Sequence, residues 1–195
     1  MLTLVDHNGA TVATNDNWKS TQQAAIEATG LAPSNDLESA VLVTLQPGTY
    51  TAMLTGKTKK ASGLGGIEVF DLQPDLDAQI ASTSTLGSVG KGTAVLSGDF
   101  TIGNGTAKQN ILLRALGISL KDTTLELANA NGSTIFTNDN WQDSQKAAIE
   151  ATGLTPPNLT DSAIIANLDP GSYRAIVRGK KNKTGAARLE VYSLP

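Results

Sequence analysis

The chain has 195 residues, with Lys+Arg 15 against Asp+Glu 18, a formal net charge of −3 and only 4% aromatic residues. No Cys and a single His exclude disulfides, thiolate metal sites, a Cys nucleophile and multi-His zinc centres. The acidic balance without basic runs argues against nucleic acid as a partner, and no apolar stretch reaches the roughly 18 residues of a membrane span.

Leu2–Asp6 alternates apolar and polar residues and predicts a half-buried strand, which Asn8-Gly9 turns back into Ala10–Thr14. A short Ala-rich helix is predicted over Lys19–Thr29, with Ser20 and Gln23 as a capping box and Gly30 as its C-terminal glycine. Val41, Val43 and Leu45 predict one face of the next strand. Pro47-Gly48 predicts a type II turn, after which Tyr50, Ala52 and Leu54 face inward. Ile67 and Val69 predict a closing strand.

The same order then returns. Asn15-Asp16-Asn17-Trp18 recurs as Asn138-Asp139-Asn140-Trp141, an offset of 123 positions, and Ala24–Leu31 recurs as Ala147–Leu154. Past the lysine-rich turn the offset is 122, so that Glu68-Val69-Phe70 matches Glu190-Val191-Tyr192. Residues 73–124 occur once, and within them Ala94–Ile102 and Asn110–Leu116 read as strands between Gly-rich turns. Many short strands with Gly, Pro and Asn turns predict an all-β chain of two sandwich or jelly-roll-like units, each with one short helix. The expected division is 1–72 as an incomplete sandwich, 73–84 as a linker or donated strand, and 85–195 as a complete sandwich. The first unit lacks the leading strands that the second one has.

Residues Ile80–Leu194 resemble a β-sandwich repeat of bacterial secreted and surface proteins, loosely similar to pre-peptidase C-terminal domains. The residues that carry the resemblance are Leu112-Leu113-Arg114-Ala115-Leu116-Gly117, the Asn-Asp-Asn-Trp box, Ala-Thr-Gly-Leu-x-Pro, Pro-Gly-x-Tyr and the closing Leu-Glu-Val-Tyr. Leu2–Leu72 resembles only the C-terminal part of that repeat. The resemblance implies an extracellular or cell-surface module with no enzymatic activity, although no signal peptide is visible in the chain. The chain departs from the pattern at Ile118, where the repeat usually has Pro.

Candidate cation ligands cluster in the two boxes. Asp6, Asn15, Asp16, Asn17 and Glu38 in the first copy, with Asn138, Asp139, Asn140 and Asp161 in the second, supply the oxygen donors that calcium prefers. The alternative is that these side chains make Asx turns and helix caps around a core Trp. Lys57, Lys59 and Lys60, with Lys180, Lys181 and Lys183, read as a solvated turn in each copy, or as a contact for an acidic neighbour or an anionic polysaccharide. No acid, base and nucleophile set recurs, so an enzyme is not expected. The expected function is a structural protein that assembles with copies of itself into a filament or surface array by exchanging β strands. The second candidate is a carbohydrate- or surface-binding module of a larger secreted adhesin or enzyme.

Overall fold

The computed structural model describes residues 1–58, 63, 65–73, 80–103 and 106–195. Lys59, Lys60 and residues 74–79 of the expected 73–84 linker lie outside the described residues. The chain is all-β, with antiparallel sheets and, among the described residues, two short α-helices. It divides into two compact units, Met1–Gln79 and Ile80–Pro195.

The second unit is a sandwich of two four-stranded sheets. Its strands are β4 (Ser82–Val89), β5 (Leu96–Ile102), β6 (Gln109–Gly117), β7 (Thr123–Asn129), β8 (Thr134–Asn138), β9 (Ser162–Leu168), β10 (Gly171–Gly179) and β11 (Gly185–Ser193). One sheet runs β5-β10-β7-β8 and the other β4-β11-β6-β9, all antiparallel. Alternation sends Ile111, Leu113, Leu125, Leu127, Ile164, Ala175, Val177 and Leu189 into the space between the sheets. A helix, α2 (Lys146–Ala151), covers the outer face of the second sheet, where Leu112, Trp141, Ile149 and Ala163 form a separate apolar cluster. The middle strand β6 therefore feeds two cores, which explains why Ile111-Leu112-Leu113 is apolar without alternation. On the exposed face of the first sheet, Arg174 meets Asp99 and Arg178 meets Glu126 across the ladder. The hydroxyl of Thr134 and then the guanidinium of Arg178 hold the Glu126 carboxyl below the ordinary glutamate range.

In the first unit, β1 (Leu2–Asp6), β2 (Thr11–Asn15) and β3 (Tyr50–Leu54) make a three-stranded sheet in the order β2-β1-β3. Gly9 at φ +81° and Gly132 at φ +76° turn the matching hairpins, as the Asn-Gly pairs require. The predicted helix over Lys19–Thr29 is split. A 3-10 turn spans Trp18–Ser20, and α1 covers only Gln23–Ala28. Ser20 does not cap it, because its hydroxyl donates to the Asn17 carbonyl instead. Asp143 does not cap the second helix either, since its carboxylate accepts from Asn140 Nδ2. Gly30 and Gly153 do end the helices, at φ +72° and +70°.

Two predicted strands of the first unit are absent. Residues 40–46 and 65–70 have no ladder, while their counterparts β9 and β11 do. The physical reason lies in the order β4-β11-β6-β9: β6 is the strand on which both β9 and β11 pair. Among the described residues of the first unit nothing takes the place of β6, so neither segment has a backbone partner. The type II turn expected at Pro47-Gly48 is also not found, because Gly48 does not take the positive φ that turn needs.

Candidate functional site

In the second unit β6 fills the lane between β9 and β11; among the described residues of the first unit no strand stands in its place beside the matching segments 40–46 and 65–70. The segments that flank this lane carry apolar residues at the positions of those in β9 and β11, yet in the first unit several of them face solvent. Ile67 is 44% exposed where Leu189 is 2%, and Val43 is 38% exposed where Ala166 is 3%. Val69, Phe70, Leu72 and Leu45 are likewise exposed. A row of large apolar side chains beside unpaired backbone is costly to leave in water.

What holds β6 in the second unit defines the lane chemically. Arg114, near the middle of β6, donates Nε to Glu190 at 2.7 Å, Nη1 to the Leu154 carbonyl at 2.8 Å and Nη2 to the Tyr192 hydroxyl at 2.8 Å. Its guanidinium also lies 5.0 Å from the Tyr192 ring centre. At the end of the strand the Gly117 N–H donates to Asp161 Oδ1 at 2.8 Å. The first unit keeps both acceptors. Glu68 matches Glu190 and Glu38 matches Asp161, and both are exposed. Glu38 otherwise keeps the local role of Asp161: each receives an N–H from the matching Asn, Asn35 or Asn158.

The proposed calcium ligands are engaged in turns, in hydrogen bonds across the box and in lysine pairs. Asp6 Oδ1 accepts the N–H groups of Asn8 and Ala10, and those hydrogen bonds hold its carboxyl below the ordinary aspartate value. Asn15 and Asn138 each reach across the box. Their amides donate to the carbonyls of Asn17 and Asn140, and their oxygens accept from Ala40 and Ala163. Asp161 spends both oxygens on Gly117 and Asn158. Asp16 and Asp139 are each met by a lysine, Lys57 at 2.5 Å and Lys180 respectively. The Asp139 carboxylate in turn raises the pKa of Lys180. Among the described residues no three acidic or His side chains converge. The lysine turns and the Asn-Asp-Asn-Trp boxes thus meet, with a lysine ammonium on each box aspartate. We expect both units to melt at the same temperature with and without EDTA; a drop of several degrees on chelation would return calcium to these boxes.

Sequence reasoning also missed Gln22 and Gln145, each just ahead of its helix. Gln145 donates to the Ile165 carbonyl and accepts the Ile165 N–H, and Gln22 does the same with Leu42. Each side-chain amide thus stands in for a strand neighbour on the outer edge of the segment beside it. A Gln in one position relative to the helix in both copies was the only signal.

Neither a protein-family model nor a curated protein matches the chain. Among solved structures, the pre-peptidase C-terminal domain of a collagenase from Bacillus anthracis is similar at 16% identity and a TM-score of 0.38, covering 58% of this chain and 89% of that one. The VP2 subviral particle of infectious bursal disease virus is similar at 15% identity and a TM-score of 0.27, covering 97% of this chain and 55% of that one. The T=1 particle derived from the same virus gives 14% identity and a TM-score of 0.25. The chain spans about half the length of those capsid chains. Likeness of this degree carries no activity, ligand or partner across.

Proposed function

We propose that this chain is an extracellular structural building block, without catalytic activity, that self-assembles into a filament or surface array, its first unit taking up β structure from a neighbouring subunit. The observation that carries this reading is the pair of units itself. The same repeat is closed in residues 80–195 and open in residues 1–73, where β3 has β1 on one side and no described strand on the other. Its counterpart β10 lies between β7 and β5. An open edge of this kind accepts a strand from another molecule, and a head-to-tail contact that does not close propagates. No helix among the described residues is long and apolar enough to cross a membrane, so the reading needs no membrane anchor from them.

Analytical ultracentrifugation across a hundredfold range of concentration tests it. We expect association that grows with concentration, and elongated particles by negative-stain microscopy. Replacing Thr51 and Met53 on β3 by Lys should suppress the association, because charged edge strands resist pairing. A chain that stays monomeric and cooperatively folded throughout overturns the reading.

A further inference from the structure

Edge pairing along β3 supplies the place that β5 takes in the second unit, but among the described residues it leaves the lane between residues 40–46 and 65–70 without a strand. We propose that this lane is the docking site for one β strand of defined chemistry: an antiparallel strand of the pattern Leu-Leu-Arg-Ala-Leu-Gly, whose arginine pairs with Glu68 and whose glycine N–H is received by Glu38. This rests on the assembly reading above and adds a second recipient site in the same unit, with the chemistry of the strand it takes.

The specification comes from the molecule's own completed copy. β6 is held by three kinds of contact: ladders on both sides, apolar side chains into both cores, and two carboxylates that fix its register, Glu190 on Arg114 and Asp161 on Gly117. The first unit retains the recipient half of each. Ala40–Leu45 and Ile67–Leu72 match the flanking segments in sequence. Ile67, Val69 and Val43 offer the apolar surface. Leu31 and Ala32 stand at the positions of Leu154 and Thr155, whose carbonyls also accept from Arg114. Phe70 replaces Tyr192, keeping a ring for the guanidinium and losing one hydroxyl acceptor. A neutral or acidic residue at the arginine position would bury Glu68 without a counter-charge, which costs more than the apolar contacts beside it return. Glu68 therefore acts as a filter on what can enter.

The test uses a fluorescein-labelled peptide of the sequence Thr106–Ile118 added to the full 195-residue chain, read by anisotropy. We expect saturable one-to-one binding, at least tenfold weaker when the peptide carries Arg114→Gln. Glu68→Gln in the protein should weaken the native peptide by a similar factor and leave the Gln peptide unaffected. Glu68 is exposed, so this variant keeps the fold. Equal binding of the Arg and Gln peptides, or binding indifferent to Glu68→Gln, overturns the arginine specification. If no peptide binds while the chain still associates at high concentration, the docking strand is wrong and the assembly reading survives. If no peptide binds and the chain stays monomeric, both fall.

Discussion

Arg114→Met is expected to destabilise the second unit by about 3–5 kcal/mol. Arg114 and Glu190 have side chains only 12% and 8% exposed, 2.5 Å apart at Nη2 and Oε2. Removing the guanidinium leaves a carboxylate in the sheet with no comparable counter-charge. Arg188 Nη1 approaches Glu190 only at 3.9 Å and is itself 43% exposed. The change also strips the Leu154 carbonyl and the Tyr192 hydroxyl of their donor. The double variant Arg114→Met/Glu190→Gln should recover a large part of the loss, because the penalty lies in the unpaired charge and not in the missing pair. Hydrogen exchange of the β6 and β11 amides under rising urea reads the second unit alone. A loss below about 1 kcal/mol would show that water reaches Glu190 and that the pair sets register without carrying stability.

That buried pair also marks where sequence reading stops. The hairpins were legible because Asn-Gly and alternating apolar residues act over a few positions, and the Asn8-Gly9 and Asn131-Gly132 turns follow from them directly. The sandwich was legible from the number and spacing of strands. The closing strands of the first unit were not, because Ile67 and Val69 have the same local pattern as Leu189 and Val191. What separates the two cases is a partner strand more than seventy positions away from β11 in the chain, paired as Leu189 with Ala115. A strand is a property of two segments, and a pattern reports only one. The helix caps failed for a related reason. Ser20 and Asp143 found nearer partners within the box, and Gln22 and Gln145 turned to the backbone of a distant segment. For the candidate site, Glu68 and Glu190 were visible as a repeat, but their role required seeing that their arginine occurs only once.

Gly185→Ala should cost the second unit about 3 kcal/mol or more, and Gly63→Ala, the same position of the repeat, should change the first unit by no more than about 0.5 kcal/mol. A Cβ on Gly185 would lie 2.6 Å from Leu120 N and 2.8 Å from Leu120 Cα. Both are backbone atoms, and they cannot swing aside. Leu120 is only 2% exposed, and the N–H groups of Ile118, Ser119 and Leu120 all point at the Ala186 carbonyl. This β6–β7 connection plugs the end of the sandwich, so room for a methyl at Gly185 means withdrawing Leu120 from the core. Gly185 also sits at φ +157°, at the margin of what a side chain accepts. At Gly63 nothing among the described residues lies within 4 Å of the added carbon. Thermal melts of the two variants, with hydrogen exchange assigning each loss to its unit, give the comparison. Equal penalties would mean that a plug like Leu120 already sits over Gly63, and the lane beside Glu68 would then have to be closed as well.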